Sequence, residues 1–453
     1  MPSKGIVRAA LEAAFAEEGC PICSLLLGRE ENGLRSLLTE SVNDLGMRNR
    51  LAVSWGFCHR HAWGMATRTD LGGPLATAII YESMAGRLLT ECAVSTKDHQ
   101  QPRMGRPEYL DQVFPGDSCL YCTAQAQLEA NFITSFVRYC AHERFAALYR
   151  KSAGLCLKHL QQAVNISRPS VRLLLLGVAV ARLEQARRVV IETGDMDYEV
   201  RDPLQPIHPR LSLLVGPYPF FPHSHDYYRY SKVFGNRVNA AIARYASECA
   251  LCDAEREVEK QRLTSLLQPD GYMSQNGADW LCPTHAWQLH SLAAEYRRFQ
   301  DCALWSARLN DMAIASLEGL LDAERLAARS RSLFARLRPP SAVAPFASEE
   351  CVVCEAEAER SAEMAAEIAR SMANGSVSDH EPGLCLRHSA LVIKAVPPQA
   401  ANRLRKRQLE RLLRLQAELR EYVHKSHWNY REETWGEEQD SWRRVVGLFV
   451  GAE

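Results

Sequence analysis

The sequence lacks a net charge and a long apolar run. Lys+Arg and Asp+Glu both number 54 in 453 residues, so no global attraction to nucleic acid or to an anionic membrane is expected. The longest uncharged apolar run lies between Arg172 and Arg182 and is too short to cross a bilayer. Glu12, Glu17 and Glu18 interrupt the N-terminal region, which therefore lacks the apolar core of a signal peptide. We expect a cytoplasmic protein without a membrane span.

Signatures of the common enzyme classes are also missing. The sequence has no P-loop, no glycine-rich dinucleotide fingerprint, no HExxH and no Gly-x-Ser-x-Gly motif. We therefore assign no catalytic residue, and an enzyme is the less favoured class.

Cysteine, in contrast, is abundant, and its spacing repeats. Twelve of the 15 cysteines form four sets in which Cys-x-x-Cys is followed, after 29 to 34 residues, by Cys-x-x-His. In chain order the four sets are Cys20, Cys23, Cys58 and His61; Cys119, Cys122, Cys156 and His159; Cys249, Cys252, Cys282 and His285; and Cys351, Cys354, Cys385 and His388. Paired ligands with two intervening residues are typical of zinc sites. The pattern predicts four metal sites, each formed within one of four consecutive modules.

Zn²⁺ is the metal that best suits this ligand set. Three thiolates and one imidazole fill a tetrahedron and leave no position for substrate, which favours a structural role over a catalytic one. We expect four Zn²⁺ per chain, with Fe–S clusters as the less favoured alternative and reduced dithiols in redox exchange as a third. His59 adjoins His61, but the other modules have no histidine at that position, so His61 is preferred. Cys92, Cys140 and Cys302 lie outside the sets and are expected to be core thiols.

The flanking residues indicate that the repeated unit is a pair of modules. Modules one and three share His-Ala-Trp after the last cysteine, and modules two and four share Gly-Leu-Cys-Leu-(Lys/Arg)-His. Similar segments, Leu211–Gly216 and Val446–Gly451, close the two halves. The halves are residues 1–216 and 217–453. The predicted modules are 1–95, 112–216, 217–335 and 346–453, separated by proline-rich stretches.

Helical periodicity dominates between these stretches, so the predicted fold is all-α, with four helical modules arranged as a duplicated, pseudo-two-fold pair. Each half-site is expected to begin a helix, and two short helices running out and back would return Cys-x-x-His to Cys-x-x-Cys. Glycines stand two residues before the third cysteine at Gly56, Gly154 and Gly383, where they could relax the backbone. Module three has Trp280 there instead.

Several of these segments resemble a known family. Cys20-Pro-Ile-Cys23, Gly56-Phe-Cys-His-Arg-His-Ala-Trp63 and the tail Lys425-Ser-His-Trp-Asn-Tyr-Arg431 are similar to an uncharacterised bacterial family of helical proteins with CPxC and GFCxxH motifs and a KHDYRF-like tail. The resemblance covers each half, so the chain looks like a tandem version. The tail departs from the pattern at Trp428. The resemblance implies a bacterial origin and supports the ligand assignment, and it carries no activity.

Two further segments could bear function. His223, His225 and Asp226 lie in an aromatic, proline-rich stretch at 217–230 and could bind a fifth metal or act as acid and base; packing between the halves is the preferred interpretation. A basic stretch, 403–414, could bind the phosphates of a nucleic acid, although a solvent-exposed helix face is the preferred interpretation.

The sequence thus favours a zinc-binding helical scaffold that binds a protein partner or self-associates. A thiol or metal redox sensor, or an Fe–S electron carrier, is the first alternative, because cysteine-bound metal can respond to oxidation. A nucleic-acid-binding regulator that uses the 403–414 stretch is the second.

Overall fold

A computed structural model shows how the chain folds. It describes residues 4–92, 110–111, 119–192, 208–216, 249–268, 280–296, 298–329, 351–373, 383–430 and 432–451. No strand occurs in these ranges, and the predicted all-α fold is confirmed. Among the described helices none is both long enough and apolar enough to span a bilayer.

The first half contains ten α-helices among the described residues. In chain order they are α1 Lys4–Ala14, α2 Pro21–Ser36, α3 Leu45–Val53, α4 His59–Ala66, α5 Gly73–Cys92, α6 Leu120–Cys140, α7 Glu143–Lys151, α8 Leu157–Ile166, α9 Pro169–Glu192 and α10 His208–Val215. A π-helical turn, Leu37–Ser41, extends α2, and a short 3-10 helix, Thr69–Leu71, precedes α5.

The second half repeats much of this order. Its helices are α11 Ala250–Leu266, α12 Pro283–Glu295, α13 Phe299–Arg329, α14 Val352–Ala373, α15 Leu386–Ile393, α16 Pro398–Lys425 and α17 Ser441–Val450. Two 3-10 helices, Trp428–Tyr430 and Glu437–Asp440, lie between α16 and α17.

Cysteines mark the helix starts. Cys58, Cys156 and Cys385 occupy the N-cap positions of α4, α8 and α15 with extended backbone. The residue that follows the first cysteine of each Cys-x-x-Cys pair begins a helix as well. Each half-site therefore begins a helix, as the sequence predicted, and its two ligands stand three residues apart on the first turn, on one face.

Two compact units divide the chain, and each contains parts of both halves. Unit 1 comprises Met1–Arg29, Ala126–His223 and Val258–Ala356. Unit 2 comprises Glu30–Gln125, Ser224–Glu257 and Glu357–Glu453. Four of the five boundaries between these segments fall within α2, α6, α11 and α14, and the fifth, at 223/224, lies outside the described residues. The limits predicted between consecutive modules lie mostly outside the described residues and stay a prediction.

Unit 1 is built around a long helix from each half. Helix α9 of the first half packs against α13 of the second, and their apolar side chains, among them Leu175 and Trp305, are fully buried. Arg172 of α9 and Glu324 of α13 form a largely buried ion pair, with Nε and Oε1 2.9 Å apart. Helix α10 packs against α12 and α13.

Unit 2 is likewise built around one long helix from each half. Helix α5 of the first half packs against α16 of the second, and α17 packs against α4 and α5. Tyr81 of α5 and Phe449 of α17 meet edge to face, with ring centroids 5.2 Å apart. Each half therefore buries the apolar faces of its long helices against the other half. Burial of apolar surface is the largest favourable contribution to folding.

Candidate metal sites

The sixteen predicted ligands assemble into four groups, each able to hold one metal ion. Within each group all four ligand atoms lie within 4.8 Å of one another. Unit 1 contains site A (Cys20, Cys23, Cys156 and His159) and site D (Cys282, His285, Cys351 and Cys354); unit 2 contains site B (Cys58, His61, Cys119 and Cys122) and site C (Cys249, Cys252, Cys385 and His388).

The predicted pairing within consecutive modules is wrong. Each Cys-x-x-Cys pair meets the Cys-x-x-His of the other module in the same half. The reason is helix length. Helix α2 and its π turn carry the chain about 30 Å away from Cys23, and the nine residues of α3 return it by only about 14 Å. Cys58 and His61 therefore do not join Cys23, and they lie instead beside Cys119 and Cys122 at the start of α6. The same disproportion holds for α6 and α7, which have 21 and 9 residues.

The distances between the ligand atoms fit one tetrahedral ion. The sulfurs of Cys23 and Cys156 lie 3.7 Å apart in site A, and equivalent pairs of sulfurs lie 3.5 Å apart in B, 3.9 Å in C and 3.8 Å in D. Tetrahedral Zn²⁺ with Zn–S bonds of ~2.3 Å would place two sulfurs about 3.8 Å apart. All fifteen cysteines are free thiols. The residues present therefore fit a single tetrahedral metal ion at each site.

Each histidine turns the same nitrogen toward the sulfurs. Nδ1 of each ring lies 3.1–3.5 Å from at least two of the cysteine sulfurs of its site. Nε2 faces a glutamate instead. Nε2 lies 3.0 Å from Glu129 in site A, 3.0 Å from Glu30 in B, 3.1 Å from Glu255 in C and 3.6 Å from Glu259 in D. In sites A, B and C the carboxylate is near enough to accept the Nε2 proton, which fixes the tautomer in which Nδ1 is free to bind a metal.

Three of these glutamates occupy one repeated position. Glu30, Glu129 and Glu259 each stand ten residues after the first cysteine of a Cys-x-x-Cys pair. The fourth such position is Ser361, whose hydroxyl donates to Glu255 over 2.5 Å. Glu255 then contacts the histidine of site C in place of the missing glutamate. These residues were not among the predicted site residues, although an alignment of the four Cys-x-x-Cys segments shows the repeated glutamate.

A basic residue precedes the ligand histidine in three modules and contacts the same carboxylate. Arg60 pairs with Glu30, Lys158 lies 2.9 Å from Glu129, and Arg387 lies 3.5 Å from Glu255. These contacts hold each carboxylate ionised and oriented toward its histidine. The fourth module has Thr284 in the corresponding position.

Negative charge collects around the histidine rings. Burial opposes a proton on His61, but the sulfurs of Cys119 and Cys58 and the Glu30 carboxylate outweigh it and raise the pKa of His61 to about 11. A similar balance raises the pKa of His388 to about 11. The same negative charges would stabilise a metal cation in the middle of the site.

At least one thiol in sites B, C and D is poised to ionise. Hydrogen bonds from two other cysteines of the same site lower the pKa values of the Cys119, Cys249 and Cys351 thiols. Since the thiolate is the form of cysteine that binds metals, these three positions favour metal binding.

The four sites fall into two classes of accessibility. The ligands of sites A and C are mainly buried, whereas sites B and D each contain one exposed cysteine, Cys122 and Cys354 respectively. B and D are also equivalent in the two halves. Solvent therefore reaches one ligand of each of these two sites.

In each module one residue stands two positions before the third cysteine. At two of these four positions the backbone has the relaxed conformation that the sequence predicted for glycine. Gly56 and Gly154 have positive φ values of 93° and 88°, which L-residues with side chains rarely adopt. Gly383 and Trp280 instead accept backbone hydrogen bonds from the first residues of α11 and α14, over 3.1 and 3.4 Å.

Other predicted residues are placed as follows. Cys92, Cys140 and Cys302 are buried, as expected of core thiols. His59 is exposed and takes no part in site B. The segment 217–230, with its two histidines and aspartate, lies outside the described residues. In the basic stretch, Arg405 forms an ion pair with Asp111.

The family assignment follows from a comparison of the whole chain. The profile of DUF6062, a family of unknown function, matches residues 5–172 and again residues 232–452. The chain belongs to DUF6062. The two matches confirm the expected tandem repeat of an uncharacterised family, and each DUF6062 copy supplies two Cys-x-x-Cys and two Cys-x-x-His half-sites. No curated protein and no solved structure is significantly similar to the chain.

Proposed function

We propose that this protein is a zinc-binding helical scaffold with four structural sites, on which a protein partner assembles or which self-associates. The observation that carries the proposal is the closed ligand set. Three sulfurs and one Nδ1 lie together in every site, and four such ligands would fill a tetrahedron around a bound ion and leave it no open position for substrate.

Zinc is favoured over an Fe–S cluster by the size of the sites. A cluster inserts an inorganic core of iron and sulfide between its ligands. Here the ligand atoms all lie within 4.8 Å of one another, which leaves room for a single ion. The carboxylate on each histidine Nε2 also matches the outer-sphere partners usual for zinc-bound histidine.

Each site joins segments that are far apart in the chain. Cys20 and His159 of site A are 139 positions apart, as are Cys249 and His388 of site C. A bound ion would close large loops, and structural zinc contributes on the order of 10 kcal/mol in small zinc peptides. The scaffold role is the function this arrangement supports best.

Metal analysis of the full-length protein tests the proposal. We expect four zinc ions per chain, and after exchange with Co²⁺ the visible spectrum of tetrahedral cobalt with three thiolate ligands. A matched control is Cys302→Ala, a buried thiol outside the sites, which should keep all four ions. Iron with sulfide, or a protein that binds no metal at pH 7, would overturn the proposal.

A further inference from the structure

Two motifs that repeat in the halves meet in each unit. The first is the tryptophan of His-Ala-Trp, two residues after the ligand histidine of an accessible site. The second is the glycine that ends the closing segment of a half. In unit 1 the indole Nε1 of Trp287 donates to the carbonyl oxygen of Gly216 over 3.0 Å. In unit 2 Trp63 donates to Gly451 over 3.2 Å.

The glycines, in turn, lie against the sulfurs of the buried sites. A side-chain carbon on Gly216 would stand 3.7 Å from Sγ of Cys23 and 3.9 Å from Sγ of Cys156, both in site A. A side-chain carbon on Gly451 would stand 3.3 Å from Sγ of Cys252 in site C. Both glycines have positive φ, 88° and 92°. Each half therefore covers its own buried site with its closing glycine.

The tryptophan that holds each glycine belongs to the other half. Trp287 follows His285 of site D, whereas Gly216 covers site A. Trp63 follows His61 of site B, whereas Gly451 covers site C. Both indoles are almost completely buried, so the hydrogen bond to the carbonyl is protected from water.

We propose that Trp287 and Trp63 are positioning residues that couple an accessible metal site to a buried one: site D to site A in unit 1, and site B to site C in unit 2. The inference rests on the proposed metal binding. It differs from the sequence repeat, which would couple sites of the same half.

The physical route in unit 1 is short. His285 and Trp287 lie in the first two turns of α12, and Cys282 immediately precedes this helix. A metal held by Cys282, His285, Cys351 and Cys354 would fix this end of α12 and hence the indole. Without that metal the indole would lose its fixed position, the Gly216 carbonyl would lose its donor, and the end of α10 would be free to move away from the sulfurs of site A.

A second contact ties α10 to the same indole. His208, in the first turn of α10, meets the Trp287 ring edge to face at 5.5 Å between centroids. The indole therefore touches α10 near its start and beyond its end. Displacing the indole should loosen the whole of this short helix.

The test uses the full-length, zinc-loaded protein and follows each cysteine separately. Alkylation in the presence of a chelator, read by peptide mass spectrometry, gives a rate for every ligand cysteine. The variants are Trp287→Phe and Trp63→Phe, which keep an aromatic ring and remove the N–H. A buried hydrogen bond of ordinary strength corresponds to about a fivefold change in such a rate.

We expect Trp287→Phe to accelerate labelling of Cys23 and Cys156 about fivefold and to leave Cys252 unchanged. Trp63→Phe should do the reverse, so each variant is the control for the other. Removal of site D by Cys282→Ser with Cys354→Ser should accelerate site A further.

Two results would overturn the coupling while leaving the proposed function intact. One is a four-zinc protein in which Trp287→Phe leaves the site A rates unchanged. The other is equal acceleration of sites A and C, which would indicate general destabilisation. A protein that binds no metal would overturn the proposed function and the coupling with it.

Discussion

Sγ of Cys20 lies 3.4 Å from Nδ1 of His159, although 139 positions separate the two residues in the chain. The histidine nearest in the repeated sequence pattern, His61, belongs to a different site. The second half repeats this crossing of half-sites, with Sγ of Cys249 3.2 Å from Nδ1 of His388.

The carboxylates behind the histidines should matter nearly as much as the ligands. Glu129→Gln should weaken zinc binding at site A about 10–100-fold, the range typical of outer-sphere partners, because it removes the anionic acceptor of the His159 Nε2 proton. A hydrogen bond from His159 lowers the pKa of Glu129 to about 2, so the carboxylate is ionised near neutrality. Competition with a zinc chelator measures the change.

The control for this variant is Glu143→Gln. Glu143 is highly exposed and pairs with Arg150, and zinc affinity should not move. Equal affinities for Glu129→Gln and the parent protein would show that the carboxylate does not orient the histidine.

The exposed cysteines should react first. With zinc bound and a mild alkylating agent or peroxide, Cys122 and Cys354 should be modified before the ligands of sites A and C, because only B and D offer an exposed sulfur. Time-resolved peptide mass spectrometry gives the order.

Two core thiols provide the lower limit of the modification rate in the same experiment. Burial raises the pKa values of Cys140 and Cys302 to about 12, so both should stay unmodified in the folded protein. Modification of site A cysteines before Cys122 would contradict the two classes of accessibility.

The ion pair between the halves should be worth more than its surface counterparts. Glu324→Ala removes the partner of Arg172, which remains largely buried. Leaving such a charge unpaired costs about 3–5 kcal/mol, so the urea midpoint should fall clearly. Asp322→Ala breaks the exposed pair with Arg325 on the same helix and should cost less than about 1 kcal/mol. Equal midpoints for the two variants would refute the importance of this contact.

Lys425, the first residue of the family-like tail, should hold the C-terminal segment in place. Its Nζ donates to Glu438 over 2.8 Å and to the Thr434 carbonyl over 2.9 Å. The hydrogen bond from Lys425 holds the pKa of Glu438 at about 2. Because this pKa is depressed, the stabilisation is complete above the ordinary carboxyl value and is lost as pH falls toward 2. Lys425→Met should speed hydrogen exchange of residues 432–440 at pH 6, and the difference from the parent should shrink as pH falls.

Lys406→Met removes an exposed lysine paired with Glu410 on the same helix and serves as the control for the tail. It should leave exchange of residues 432–440 unchanged. Identical exchange of Lys425→Met and the parent at pH 6 would mean that this lysine does not hold the segment.

The helices and ligand types were predictable because their signals are local. Two ligands spaced three residues apart on the first turn of a helix can be predicted without reference to the rest of the chain. Gly56 and Gly154 likewise mark the backbone turn before the third cysteine. The pairing of half-sites is not local. Every Cys-x-x-Cys is chemically equivalent, so the histidine it meets depends on the path of the chain between half-sites, as the unequal lengths of α2 and α3 illustrate.

Contacts between the halves were harder still to predict. The His-Ala-Trp and closing-glycine motifs were visible as repeats, but nothing in the sequence says that Trp287 of the second half reaches Gly216 of the first. The packing of α9 and α5 against helices of the other half depends on contacts between residues far apart in the chain, which sequence periodicity does not encode.

The most direct measurement is the zinc content of two double variants. Cys20→Ser with His159→Ala removes two ligands of one site and should leave three zinc ions per chain. Cys20→Ser with His61→Ala removes one ligand from each of two sites and should leave two. The opposite result, two ions for the first variant and three for the second, would restore the pairing within consecutive modules and contradict the crossed arrangement.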